Sequence, residues 1–202
     1  MTETGDHVAT EPARGEGETI VFLGDSLTQD GDWTAWFPEY NVVNQGVGGD
    51  TTDDVLARLD RVVAARPDSV LLLVGTNDLA TRHLVEHLVR NIQSILVQLR
   101  RDLPGCRMLL QSILPRGREF AEQIGEANIH LRQFAATVRA QYLDLWPAFA
   151  QADGELEATY TDDRLHLNAA GYDAWLSELR PALERLHDQP PMSRPIQIIR
   201  TE

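Results

Sequence analysis

Short apolar runs that end on glycine, set between stretches of helical periodicity, constrain this chain most. Thr19-Ile20-Val21-Phe22-Leu23 runs into Gly24, and Val70-Leu71-Leu72-Leu73-Val74 runs into Gly75. Met108-Leu109-Leu110-Gln111-Ser112-Ile113 is a further run, and Val42-Val43-Asn44 and Tyr142-Leu143-Asp144-Leu145 are weaker ones. A strand without polar alternation is buried on both faces, as in a parallel sheet covered by helices. Helical spacing fills the intervals. Thr51 to Ala65 carries Val55, Leu59, Val62 and Val63 on one face, and Thr81 to Arg101 carries Leu84, Leu88, Ile92, Ile95 and Leu99. Glu119 to Ala140 and Ala169 to Leu186 repeat the pattern, the last with Pro181 as an expected interruption. Right-handed crossovers then predict an α/β chain: a three-layer α/β/α sandwich around a parallel sheet of about five strands. In such sheets ligands bind beyond the carboxyl ends of the strands. The loops after Leu23, Asn44, Val74 and Ile113 are therefore the places to look for chemistry.

At 202 residues the chain suits a single domain, expected over 18–187. Residues 1–17 are polar, acidic and Gly-rich, and disorder is expected there. Residues 188–202, with Pro190-Pro191 and Pro195, read as a C-terminal extension. The formal net charge of −13 with no Arg run argues against nucleic acid as a partner. No window approaches the apolar length of a membrane span. The opening residues carry no apolar stretch that would read as a secretory signal, so a cytoplasmic location is expected. Cys106, the single cysteine, forms no intrachain disulfide and reads as a small buried residue.

Gly24-Asp25-Ser26-Leu27 follows the first run directly. A serine at a strand end can face a cleft, although a turn with Ser26 as a helix cap fits the same residues. A serine nucleophile needs a base, and the base needs an orienting carboxylate. Asp163-Arg164-Leu165-His166 supplies both, on the reading that a helical turn brings residues three apart together. Acyl transfer also needs donors for the developing oxyanion. Gly46-Val47-Gly48-Gly49-Asp50 follows the second run and offers closely approaching backbone N–H groups. Gly75-Thr76-Asn77-Asp78 follows the third and offers the Asn77 amide. Each piece alone also fits an ordinary turn or cap. Their joint placement, on loops at the ends of separate strands, favours chemistry.

Taken together, these blocks resemble the SGNH (GDSL-type) hydrolases. The resemblance rests on Gly24-Asp25-Ser26-Leu27, Gly49, Gly75-Thr76-Asn77-Asp78 and Asp163-x-x-His166, in that order, and spans about Ile20 to Leu186. It implies the flavodoxin-like SGNH fold and serine esterase chemistry, with Ser26 as nucleophile, His166 as base and Asp163 orienting it. It also implies an oxyanion hole made of the Ser26 and Gly49 N–H groups and the Asn77 side chain. Gly46-Val47-Gly48-Gly49-Asp50-Thr51-Thr52, Leu114-Pro115-Arg116-Gly117 and Leu165-His166-Leu167 are similar to the platelet-activating-factor acetylhydrolase catalytic-subunit branch. That branch implies short, acetyl-like acyl groups on a small-molecule ester, with no cofactor and no catalytic metal, and a homodimer is compatible with the sequence.

Two other readings were weighed. His83-Leu84-Val85-Glu86-His87 matches a zinc-peptidase pattern, with two histidines one turn apart on a helix beside a buried Leu84–Leu88 stripe. A non-catalytic α/β binding module is the other. Asp50, Asp53 and Asp54 are expected to favour a helix N-terminus. Trp33, Trp36, Phe37 and Tyr40 are expected to lie mostly in the core.

Overall fold

The structure, a computed structural model, describes residues 17–188. Five strands form one parallel sheet: β1 (Thr19–Gly24), β2 (Asn41–Gly46), β3 (Ser69–Leu73), β4 (Arg107–Gln111) and β5 (Gln141–Leu143). Their order is β2-β1-β3-β4-β5. Every apolar run read from the sequence forms a strand, and the boundaries move by a few residues at either end. The terminal segments expected to be disordered or extended lie outside the described residues, except Gly17 in a turn and Asp188 at the end of the last helix.

Alternation along the strands divides the core in two. Val21, Leu23, Val70, Leu72, Met108 and Leu110 face one layer of helices. Ile20, Phe22, Leu71, Leu73, Leu109 and Leu143 face the other. The first layer contains α3 (Thr52–Ala57), α4 (Leu59–Ala65), α5 (Thr76–Ala80), α6 (Val85–Asp102) and α7 (Ala121–Ala135). The second contains α1 (Ser26–Gln29), α2 (Trp33–Trp36), α8 (Trp146–Phe149) and α9 (Ala169–Asp188). This is the expected three-layer α/β/α sandwich, and it explains why the strands read as unbroken apolar runs.

The helices depart from the sequence reading at four places. The segment Thr51 to Ala65 is two helices, not one, hinged at Arg58 (φ −116°, ψ 16°), whose guanidinium is drawn toward the strand ends described below. The helix expected from Thr81 starts at Val85, because Arg82 turns the chain in the left-handed region (φ 65°). Leu84 is consequently 70% exposed instead of joining the buried stripe, and His83 lies ahead of the helix. The Glu119–Ala140 pattern resolves into α7 flanked by 3₁₀ turns at Arg118–Phe120 and Ala136–Val138. Finally, α9 runs through Pro181 without a break. An internal proline costs about 3 kcal/mol, and burial of Trp175, Leu176, Leu179, Ala182, Leu183 and Leu186 along the same helix offsets it.

At the carboxyl edge β2 closes tightly on α1. Gly46, in register with Gly24, has no room for a side chain: a Cβ there would sit 2.1 Å from the Gln29 nitrogen and 2.5 Å from its Cα. Gly46→Ala is therefore expected to destabilise the fold by about 1–3 kcal/mol through backbone displacement. Urea denaturation measures this, and an unchanged midpoint would contradict the close approach.

Candidate active site

Strand β1 ends at Gly24, and the chain enters α1 through Asp25. The helix cap is Asp25, whose Oδ1 accepts from the Leu27 N–H at 3.1 Å. Ser26, the first helical residue, is thereby left out of the capping role that the bare sequence allowed. Its Oγ lies 3.2 Å from His166 Nε2.

His166 and Asp163 come from the loop before α9. They are joined twice: His166 Nδ1 is 2.7 Å from Asp163 Oδ2, and the His166 N–H donates to Asp163 Oδ1 at 2.7 Å. The Leu165 N–H also donates to Oδ1, at 3.0 Å. The segment is not the helical turn expected. It is an irregular loop closed by an antiparallel bridge between Thr161 and Leu167, with Arg164 left-handed at φ 67°. The Asp163 carboxylate itself organises this loop by gathering the N–H groups that follow it. These bonds, led by that from His166, hold its pKa down at about 2. A carboxylate so placed fixes the imidazole with Nδ1 protonated and Nε2 free to accept from Ser26. The pair is about half exposed, so the site opens to solvent.

The two remaining motif residues lie beside this relay. The Gly46–Asp50 loop passes over Ser26, and a Cβ on Gly48 would sit 3.9 Å from Ser26 Cβ. Gly49 adopts φ +84°, a conformation that favours glycine, and its N–H has no hydrogen-bond partner among the described residues. Asn77, in the first turn of α5, donates from Nδ2 to the Asp50 carbonyl at 2.9 Å. That uses one of the two amide hydrogens and ties α5 to the glycine loop.

Sequence reasoning missed Arg58. Its Nε donates to Asp50 Oδ2 at 2.7 Å, and its Nη2 donates to the carbonyls of Gly24 (3.0 Å) and Gln45 (2.9 Å). One largely buried guanidinium thus staples the ends of β1 and β2 to the loop that carries Gly49. Asp50 serves this ion pair, while only Asp53 and Asp54 occupy the first turn of α3, where Asp54 completes a capping box with Thr51. The signal available was a charged residue interrupting the apolar stripe between Val55 and Leu59.

Two carboxyl groups near the turn into α1, Asp25 and Asp78, are fully buried and interact with one another. Asp78 accepts from the Thr52 N–H (3.0 Å) and hydroxyl (2.5 Å). Asp25 has one oxygen without a partner, and burial pushes its pKa up to about 7. The other expectations divide. Trp33 and Phe37 are core residues, whereas Trp36 and Tyr40 are partly buried against it. Cys106 is 5% exposed, and burial pushes its thiol up to about 12, a chemically quiet position. Of the zinc-peptidase pattern, His83 and His87 come together with Asp53, and Glu86 is not part of that group.

A parallel α/β/α sandwich of order 2-1-3-4-5 is a doubly wound α/β fold, in which ligands bind at the topological switch point, and the serine after β1 and the polar loops after β2 and β3 lie there. The sequence profile of the GDSL-like Lipase/Acylhydrolase family matches residues 22–174, and the chain belongs to that family, whose members hydrolyse ester bonds. It is 33% identical over 177 residues to the platelet-activating factor acetylhydrolase IB subunit alpha1 of Rattus norvegicus, covering 83% of this chain and 75% of that one. The fold is shared with a GDSL-like lipase from Bacteroides thetaiotaomicron (TM-score 0.74, 23% identity, 86% and 91% of the two chains). It is shared too with a catalytic mutant of an acetylxylan esterase from Geobacillus stearothermophilus (TM-score 0.68, 22% identity, 89% and 99%). No helix among the described residues is long and apolar enough to cross a membrane.

The raised pKa of Asp25 has a measurable consequence. The folded state favours the neutral acid, so its contribution to stability is complete below 3.8 and is lost as pH rises toward about 7. Asn in its place cannot ionise. Relative to Asp25→Asn, the wild type is expected to lose up to about 4 kcal/mol across that window and nothing further above it. Urea denaturation of both proteins as a function of pH measures the difference, and parallel profiles would contradict a neutral Asp25.

Proposed function

We propose that the chain is a serine esterase that cleaves small, short-acyl esters through Ser26, His166 and Asp163. The observation that carries this reading is the unbroken relay from Ser26 Oγ to His166 Nε2 and from His166 Nδ1 to Asp163, at 3.2 and 2.7 Å. In the proposed reaction Ser26 Oγ attacks the ester carbonyl carbon while its proton passes to Nε2. The Asp163 carboxylate stabilises the imidazolium that forms. The carbonyl oxygen becomes an oxyanion, received by the Ser26 and Gly49 N–H groups and the second amide hydrogen of Asn77. On collapse His166 returns the proton to the departing alkoxide, leaving the acyl group on Ser26. Water, activated by the same imidazole, then releases the acid and restores the serine. Short acyl groups are supported by the 33% identity to the acetylhydrolase subunit. The half-exposed His166–Asp163 pair agrees with a small ester entering from solvent.

A fluorophosphonate probe is expected to label the peptide containing Ser26 and no other serine. On a p-nitrophenyl ester series, rates should be highest at the acetate end. Ser26→Ala or His166→Ala should each lower kcat roughly 10⁴-fold or more, and the double variant little further, because the relay acts as a unit. Additive losses, or labelling that survives Ser26→Ala, would reject the assignment.

Asn77 carries two expected effects that must be read on the same variant. Losing its bond to the Asp50 carbonyl should cost about 1 kcal/mol of stability. Losing a donor to an oxyanion that exists only near the transition state should lower kcat by roughly 10²–10³ with little change in KM. A folded Asn77→Ala protein with near-normal kcat would remove Asn77 from the oxyanion hole.

A further inference from the structure

Three side chains apart from the Ser26 relay converge on one point. Asp53 projects from the first turn of α3, His83 from the turn between α5 and α6, and His87 from the start of α6. Each offers one ligand atom, and these atoms lie within 4.8 Å of one another. His87 Nε2 is 2.7 Å from Asp53 Oδ2, and His83 Nδ1 is 3.9 Å from the same oxygen. His83 Nδ1 also stands 3.7 Å from Asp78 Oδ1. Although the His83 ring is partly exposed, its Nδ1 is shielded from solvent and has no hydrogen-bond partner. A shielded ring nitrogen beside two carboxylates, bonded to neither, is an unsatisfied polar group that calls for an explanation.

We infer that Asp53, His83 and His87 form a site for a divalent transition-metal ion of the zinc type, separate from the ester-cleaving relay. Two imidazoles and one carboxylate match the nitrogen-rich set that zinc accepts, whereas magnesium and calcium prefer oxygen. Tetrahedral ligation at about 2.0–2.2 Å separates ligand atoms by about 3.3–3.5 Å. The observed 2.7 and 3.9 Å bracket that range, so the ion needs only to part His87 from Asp53 slightly and draw His83 inward. Three protein ligands leave one position for water. The supporting shell is built as well. Asn91, 7% exposed, donates from Nδ2 to Asp53 Oδ1 at 2.8 Å and to Thr52 Oγ1 at 3.0 Å, which orients the carboxylate. The His83 N–H donates to the Asp78 carbonyl at 2.9 Å, which fixes the turn that carries the ring. Glu86 takes no part, so this is not the peptidase arrangement that the His83–His87 pattern suggested. A bound ion would clamp the start of α3, just after the Gly49 loop, to the segment after α5, which carries Asn77.

Isothermal titration of the chelator-stripped full chain with zinc chloride tests this, with thermal melting read alongside. The expected result is one zinc per chain and a raised Tm, with no comparable binding of magnesium. His83→Gln, which removes a ring whose Nδ1 makes no hydrogen bond, should abolish both responses, with the metal-free Tm of the variant showing that its fold is retained. Asn91→Ala should weaken binding by about 10–100-fold. His166→Ala should leave the site intact, which distinguishes it from zinc captured at the His166–Asp163 pair. Esterase activity of the stripped chain and of His83→Gln should match the wild type, so the site and the esterase reading fail separately. Absence of saturable zinc binding, stoichiometric binding that survives His83→Gln, or equal binding of magnesium would overturn the inference.

Discussion

The constraint on which the rest of this structure depends is that all five strands point the same way. Their carboxyl ends then share one edge, and the loops leaving β1, β2 and β3 must lie side by side there. Because β2 lies on one side of β1 and β3 on the other, the chain diverges at β1, the topological switch point at which sheets of this kind bind ligands, and Ser26 follows β1 there. Main-chain contacts hold that edge closely. Gly46 admits the backbone of α1 where no side chain fits, and Arg58 binds the last carbonyls of β1 and β2 together with Asp50. The loop carrying Gly49 is therefore positioned by the strand ends and by the ion pair between its own Asp50 and Arg58.

The half of the site that comes from the end of the chain is organised differently. Asp163 and His166 sit on a loop with no regular structure, and what holds them is local: a two-residue bridge, a left-handed Arg164 and the bonds that Asp163 receives from the chain following it. Arg164 reaches away to Glu155 and Glu119, anchoring the loop to a neighbouring segment. The carboxylate that orients the imidazole is thus also the group that shapes the loop, so changes at Asp163 act on both.

Much of this was legible in the sequence because burial on both faces leaves a simple trace. Strands such as Thr19–Gly24 are apolar almost throughout, and Ser26 stands just past the end of the first of them. What was not legible depends on contacts between segments distant in sequence. Arg58 looks like one more charge on a helix until its guanidinium finds Gly24 and Gln45. Leu84 fits the helical stripe numerically, yet with Arg82 left-handed the helix starts at Val85 instead of Thr81 and leaves Leu84 in solvent. Pro181 carries the local signal of a break, and burial of the surrounding face overrides it. Asp53 and His83 belong to different motifs, and only the packing of α3 against α6 brings them together.

The electrostatics under Ser26 follow from the same packing. Under the proposed mechanism an oxyanion forms beside Ser26 and works against any negative charge fixed nearby, and the buried carboxyl groups Asp25 and Asp78 interact with one another next to it. They are treated unequally. Asp78 accepts from the Thr52 N–H and hydroxyl, so each of its oxygens has a partner. Asp25 receives only the Leu27 N–H on one oxygen, and desolvation outweighs it, aided by the proximity of Asp78. Burial therefore disfavours a charge on Asp25. Under the proposed mechanism that leaves the donors of Ser26, Gly49 and Asn77 opposed by less negative potential when charge develops on the substrate. Asp25 can then cap the helix that begins at Ser26 without adding a full charge beside it.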